Sequence, residues 1–361
     1  MVEGHEHDDD RFAQQIRPYV FGGHKPSTSP KLVLLGAQPG AGKSRAVARI
    51  LHADPDTDFV YVTGDALRPF HPRYATLIRT DPIAMPNATG PAVARWVRAC
   101  IDHALTHRYS LVLEGTFRDT DVVAATLRRF AAAGYHTQAV VLAVRSERSR
   151  LDCLLRWLGT DPAEPARWTP PSAHDTSFTR LPNTVAALND VTELHRITVH
   201  TRAQVIFTDE RQADGHWDRP NQAAVVLRAE HQQPPDPEAA TAWLDHYQWA
   251  IETSEQLPTL DARAVPLYLA AFEDADRIAA VVAPQPADPR HRPHADIQRR
   301  AAAILHRGHP SLAPITGPSP LAGQAFRPPA GFLPEARPER LPAPPPVHDT
   351  TASRRRARKP G

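Results

Sequence analysis

The stretch from Lys31 to Ser44, KLVLLG followed by AQPGAGKS, constrains this chain more than any other. A short apolar run ends in a Gly/Pro loop, and Lys43-Ser44 then open a helix-compatible segment. This is the strand–loop–helix context of a phosphate-binding P-loop. Gly40 and Gly42 let the main chain turn with successive N–H groups pointing inward at phosphate oxygens. The helix predicted over about Lys43–His52 adds the positive end of its dipole. In such a loop Ala37, Gln38, Pro39, Gly40, Ala41, Gly42, Lys43 and Ser44 wrap the nucleotide. Lys43 supplies a point charge for the outer phosphates, and Ser44 a hydroxyl for magnesium. The strict pattern G-x-x-x-x-G-K-[ST] has glycine where this chain has Ala37, with Gly36 just before it. Alanine is sterically mild there if φ is negative. The competing reading is a Gly-rich turn that binds nothing, and the lysine argues against it. The chain has only four lysines (Lys25, Lys31, Lys43, Lys359) and uses arginine almost everywhere else. A lysine at 43 therefore marks a place that needs a compact charge.

After the P-loop helix, Phe59–Thr63 reads as a second buried strand, ending at Gly64-Asp65. Helical spacing over Gly90–His107 leads to a third strand at Leu111–Leu113, which ends in Glu114-Gly115-Thr116-Phe117-Arg118. Asp121–Ala133 is a helix closed by Gly134, and Gln138–Val144 is a fourth strand. Strands alternating with helices predict a parallel, three-layer α/β sheet. Ligands sit at the carboxyl ends of the strands in such sheets, and the polar residues at 65, 114, 116 and 118 fall there. Glu147–Leu158 is a further helix carrying Arg156, and a Pro-containing loop with Arg167 and Trp168 follows it. His174-Asp175 precede a helical patch over about Thr176–Asn189. Short strands are expected at Ile197–His200 and Gln204–Phe207, with a hairpin as one way to join them, and another at Ala223–Leu227.

Hydrophobic residues make up 41% of the chain, enough for a sizeable core in the first two-thirds. Four regions are expected: a polar segment over 1–30 with a short helix near Arg11–Val20, and a kinase domain over 31–230. A helical region follows over 231–308 (pieces at Glu238–Thr253, Ala264–Val282 and Ala295–His306), and then a Pro-rich basic tail over 309–361. The tail, with PAPPP at 342–346 and basic residues over Arg354–Lys359, is too poor in apolar surface to fold alone. The acidic run Asp8–Asp10 is read as solvated. A net charge of +2 gives no bulk field for nucleic acid. Two cysteines, Cys100 and Cys153, are too few for a disulfide framework and suit a reducing compartment. With no membrane-length apolar run and no signal peptide at MVEGHEHDDD, a cytoplasmic protein is expected.

A kinase needs a base, magnesium, cations for the charge in transit, and an acceptor pocket. Asp65 stands at the end of the second strand, where a carboxylate can take the acceptor's proton and orient its oxygen. The alternative is a helix N-cap. Glu114, directly after apolar strand residues, should face a cavity or pair with a cation. It could bind a substrate hydroxyl or magnesium's outer sphere, or form a structural salt bridge with Arg118 or another cation. Arg156 and Arg167 are the candidate charge clamps. Trp168 and His174 are read as packing and loop-anchoring residues.

Together these residues resemble the zeta toxins, P-loop kinases of toxin–antitoxin systems that phosphorylate UDP-N-acetylglucosamine. The resemblance rests on AQPGAGKS at 37–44, GDALRPFHPRY at 64–74, LVLEGTFRDTDV at 111–122, GYHTQAVVLAV at 134–144 and LLRWLGTDPAEPARWTPPSAHD at 154–175. It covers roughly residues 30–210 and implies an ATP- and Mg2+-dependent phosphotransferase. Lys43 and Ser44 would hold the phosphates and magnesium, and Asp65 would activate the sugar 3′-hydroxyl. Glu114, Thr116 and Arg118 would line the sugar-nucleotide site, with Arg156 and Arg167 stabilising the phosphoryl group in transit. The product would starve cell-wall synthesis, and an antitoxin protein would be the partner. Trp96 and Arg98 stand where the best-known members carry an acidic sugar contact. The other readings are a phosphotransferase for an antibiotic- or nucleoside-type acceptor, and a nucleotide-binding partner protein without catalysis.

Overall fold

The structure, a computed structural model, describes residues 10–159, 166–285 and 287–308. The expected Pro-rich tail lies outside the described residues, as does most of the acidic run. Strand β1 (Lys31–Gly36) is flanked on both edges and is buried over five of its six residues. β3 (Ser110–Gly115) runs parallel on one side, with Leu34 opposite Leu113. β4 (His136–Leu142) runs parallel on the other, with Leu34 opposite Ala139. β2 (Phe59–Val62) pairs outside β3 and β5 (Arg196–His200) outside β4, both parallel. β6 (Val205–Glu210) closes that edge antiparallel to β5, which makes the expected hairpin. The sheet order is therefore β2-β3-β1-β4-β5-β6.

Alternation along the central strands sends side chains to two cores, as a pleated strand buried on both faces requires. Leu32, Leu34, Leu111, Leu113, Ala139 and Val141 face one cluster, and Val33, Leu35, Val112, Val140 and Leu142 the other. The second cluster is covered by α2 (Lys43–Ala53) through Ala46, Val47 and Ile50. The first is covered by α5 (Met85–His107), α6 (Thr120–Ala132), α8 (Pro171–Ala187) and α9 (Gln222–Gln232). At the N-terminus a π-helical turn, Phe12–Ile16, runs into α1 (Arg17–Phe21), which buries Val20 and Phe21 in the same core. Between β2 and α5 lie two short helices, α3 (Gly64–Leu67) and α4 (Tyr74–Thr80). The three-layer α/β fold is as the alternation of elements predicts.

Three local readings are corrected. Ala223–Leu227 is helical, inside α9. Ala223, Ala224 and Leu227 are buried while Val225 is half exposed, so helical packing overrides the β-branched pair. His174 and Asp175 lie within α8, which opens earlier at Pro171, a residue suited to a first helical turn. α5 likewise begins at Met85, with Gly90 and Pro91 inside it.

Beyond the sheet, α10 (Pro237–Glu255), α11 (Val265–Val282) and α12 (His291–Gly308) form a helical layer. It packs on α7 (Ser146–Trp157), the helix that follows β4. Leu151, Leu154 and Leu155 of α7 share one apolar cluster with Trp243, Tyr247, Leu267, Tyr268 and Ala271. Trp243 also donates its Nε1–H to the Glu147 carbonyl at 3.1 Å. Truncating Trp243 to alanine should cost about 3–5 kcal/mol, as for other large buried aromatics. Because that cluster joins layer and α7, circular dichroism and tryptophan fluorescence should report one coincident denaturant transition. Two separated transitions would show that the layer folds independently.

Candidate active site

The site is assembled at the carboxyl ends of β1, β2 and β3. Gly40 and Gly42 adopt φ of 77° and 87°, the left-handed region that favours glycine. At Gly40 space forbids a side chain as well, since a Cβ would lie 2.0 Å from the Ser149 carbonyl oxygen. Among the described residues the only non-glycines with positive φ are Arg108, Phe117 and Asn221, so Ala37 keeps the negative φ that alanine tolerates. Gly36 is the less replaceable neighbour: a Cβ there would meet the Phe117 ring at 2.4 Å. Within the loop the Ala41 amide donates to the Gln38 carbonyl at 3.3 Å and the Arg45 amide to Gly42 at 3.1 Å. The first amides of α2 have no acceptor within their own helix, which leaves them for an anion.

The loop is gripped from behind. The buried Gln38 side chain donates from Nε2 to the Val144 carbonyl at 2.7 Å and to Ser149 Oγ at 3.1 Å. Arg202, just past β5, donates to the Gly40 carbonyl at 2.5 Å and pairs with Asp152 at 2.5 Å. Lys43 folds back so that Nζ bonds the carbonyls of Ala37 and Gln38, each at 3.1 Å. Its Nζ lies 3.8 Å from Glu114 Oε1. The other carboxylate oxygen of Glu114 accepts from the Tyr61 hydroxyl at 2.5 Å. Burial, reinforced by Glu114, pushes the Tyr61 hydroxyl far above its ordinary pKa and keeps it a donor. Of the structural pairings expected for Glu114, the one with Arg118 is not formed, and the cation beside it is Lys43. Arg118 is exposed, and its carbonyl accepts from Arg180 at 3.5 Å. Thr116 is half-buried in the segment after β3.

Asp65 lies in the first turn of α3, whose N-cap is Thr63, so Asp65 is not the cap. Its carboxylate instead accepts from Arg68 Nε at 3.0 Å and Arg167 at 2.9 Å. Burial works to raise the Asp65 carboxyl, but the charges of Arg167, Arg68 and Arg156 outweigh it and hold it well below the usual carboxylate range. Arg68 is itself fixed by the Pro86 carbonyl at 2.9 Å and Thr89 Oγ1 at 2.6 Å. The Arg167 amide donates to the Arg156 carbonyl at 3.0 Å, which ties the second arginine to the end of α7. Arg156 Nε is buried without a hydrogen-bond partner among the described residues. Trp168 and His174 are buried, Trp168 against the Trp157 ring and His174 against Ser149.

The structure thus gathers Lys43 and Glu114 with Tyr61 on one side, and Asp65 with Arg167, Arg68 and Arg156 on the other. Arg118 is not drawn into either group. Tyr61, Arg68 and Arg202 were missed in the sequence. Tyr61 is hidden in an apolar strand, and the arginines among many others, although Arg68 at three residues from Asp65 was a readable helical pair. Two carboxylates and several cations around a phosphate cradle can orient a hydroxyl and screen a moving phosphoryl group. Among the described residues no cluster of three or more His, Cys, Asp or Glu could hold a metal by itself. Nor is any helix among them long and apolar enough to cross a membrane.

The sequence matches the zeta toxin family over residues 20–213. It is 29% identical over 192 residues to toxin PezT of Streptococcus pneumoniae serotype 4 (strain ATCC BAA-334 / TIGR4), covering 53% of this chain and 76% of that protein. It is 30% identical over 185 residues to toxin zeta of Enterococcus hirae, covering 51% of this chain and 64% of that protein. A solved structure from the PezAT chromosomal toxin–antitoxin system of Streptococcus pneumoniae shares the fold. Its TM-score is 0.58 at 22% identity, over 68% of this chain and 96% of that one. The chain belongs to the zeta toxin family, and its kind of enzyme is a toxin kinase.

The Asp65 environment predicts a pH profile. A carboxyl held low stays ionised as pH falls, so the acid limb of the rate should lie below the ordinary Asp value of about 3.9. Arg167→Ala removes the strongest charge lowering it, and the acid limb should move to higher pH. An unmoved limb in the variant would show that Asp65 does not control the rate. Separately, Gly40→Ala should lose nucleotide binding and lower Tm, since both φ and the Ser149 carbonyl oppose the methyl group.

Proposed function

We propose that this member of the zeta toxin family transfers the γ-phosphoryl group of ATP to the 3′-hydroxyl of the sugar of UDP-N-acetylglucosamine. The observation that carries the proposal is the Asp65 carboxylate, held between Arg167 and Arg68 at the end of β2. ATP supplies the phosphoryl group, and magnesium would be held by Ser44 together with the nucleotide phosphates. Lys43 lies within 3.8 Å of Glu114, ready to exchange its loop carbonyls for phosphate oxygens. Asp65 accepts the hydrogen bond of the attacking hydroxyl, orients its oxygen, and takes the proton as the bond to phosphorus forms. A carboxylate of lowered basicity is adequate for this, because the loose transition state asks little of the nucleophile. Arg156 and Arg167 balance the charge in transit. Glu114, Thr116 and Arg118 are assigned to the acceptor, with Glu114 positioned by Tyr61. The kinase domain over 31–230, the helical region over 231–308, a cytoplasmic location and a dedicated antitoxin belong to the same reading.

The acceptor rests on the family's pattern, which this chain departs from. Trp96 is buried and Arg98 exposed, so neither supplies the acidic sugar contact expected on α5. Mass spectrometry of UDP-N-acetylglucosamine after incubation with the protein, ATP and magnesium should show one added phosphate, on the sugar 3′-oxygen. Phosphate on another acceptor in a panel would favour an antibiotic- or nucleoside-type kinase, and nucleotide binding without transfer would favour a non-catalytic partner. Asp65→Asn should slow transfer by about 10²–10⁴-fold, and Lys43→Ala should abolish it. Wild-type turnover in Asp65→Asn would remove Asp65 from the role of base.

A further inference from the structure

Asp274 of α11 is fully buried and carries a carboxylate into the contact between the helical layer and α7. Burying a carboxylate there is expensive compared with an apolar residue of the same size, so stability alone does not explain it. Its partners are arginines, Arg277 one turn on and Arg150 of α7. Arg150 also donates to Asp175 of α8 at 3.3 Å. Asp175 accepts from His174 Nδ1 at 2.8 Å. An ionised carboxylate can only accept, so this contact places a proton on Nδ1 and leaves Nε2 of the neutral ring as an acceptor. Nε2 lies 2.8 Å from Ser149 Oγ, whose hydroxyl can donate to it. Ser149 Oγ in turn accepts from Gln38 Nε2. Gln38 is a P-loop residue whose carbonyl receives Lys43 Nζ.

The Arg145 and Ser146 carbonyls, at 3.0 and 3.2 Å, share the single Ser149 hydrogen with His174, whose Nε2 is the nearest of the three acceptors at 2.8 Å, and the contacts run without a gap from the helical layer to the loop. We propose that Asp274 is a positioning residue for the nucleotide site, acting through Arg150, Asp175, His174 and Ser149 to fix Gln38 and so the loop that receives the phosphates. α11 lies beyond residues 20–213, the segment matched by the family, and the network of contacts gives the layer a part in the nucleotide site. The inference rests on the reading of the loop as a nucleotide site.

A double-mutant cycle on ATP affinity tests it, measured by calorimetry on the full chain with magnesium. Asp274→Asn and Ser149→Ala should each weaken ATP about tenfold, and the double variant should also weaken it about tenfold, since both cut one network. KM for the acceptor should stay as in the wild type. A hundredfold loss in the double variant, or full ATP affinity in Asp274→Asn, overturns the proposal. If Asp274→Asn does not fold, Asp175→Asn takes its place. Its side chain is half exposed, and the same two outcomes apply. Failure of the wild type to bind ATP would overturn the reading of the loop itself and is distinct from either.

Discussion

A strand buried on both faces cannot pass into a helix through a tight glycine turn and also leave its amides free for an anion, unless something else holds that turn. Here α7 holds it. The Ser149 carbonyl packs against the α-carbon of Gly40 so closely that no side chain fits, and Ser149 Oγ and the Val144 carbonyl take both amide hydrogens of Gln38. Arg202, anchored on Asp152 of the same helix, takes the Gly40 carbonyl. With its carbonyls and side chains engaged behind, the loop can keep its N–H groups pointing the other way. α7 is in turn pinned by the helical layer through an apolar cluster and through Asp274. The phosphate cradle therefore depends on packing far from it.

The same helix carries one of the two arginines proposed to clamp the charge in transit. Arg156 sits near its end and holds the Arg167 backbone, so movement of α7 would disturb the loop and the clamp together. This coupling suits phosphoryl transfer, where positioning does most of the work and a small misplacement is costly. The site also keeps its charge in balance. Asp65 is shared by two arginines, and Glu114 by Lys43 and Tyr61, so no carboxylate is left buried alone. Phe117, at a φ of 51°, bears local strain while its ring closes over Gly36.

The sheet and the loop were legible in the sequence because period-two apolar runs and glycine-lysine spacing are local signals. So were the strand-end residues Asp65 and Glu114, since polar groups directly after buried strands have few other uses. The Ala223–Leu227 segment misled because two adjacent valines speak for a strand, while the burial of Ala223, Ala224 and Leu227 on one face is decided by α8, β5 and β6. Arg118, read as a site residue through its place beside Glu114, is exposed just after the turn at Phe117, outside the two groups that the fold gathers. The partners of Asp65 were legible to different degrees: Arg68 lies three residues on, at helical spacing, whereas Arg167, read as a charge clamp, is 102 residues away and nothing local showed that it pairs with Asp65.

The departures from the family's sequence pattern then differ in weight for a physical reason. Ala37 sits where φ is negative and its methyl group is buried among apolar neighbours, so the phosphate cradle loses nothing. Trp96 is different, because it fills the core between α5 and the sheet and can offer the acceptor no carboxylate. A missing hydrogen-bonding group changes which hydroxyl is preferred far more than a missing glycine changes phosphate binding. Glu114, pre-oriented by Tyr61 and 3.8 Å from Lys43, is the acidic group besides Asp65 that stands by the loop, and it is the side chain to which the proposed reading gives recognition of the acceptor.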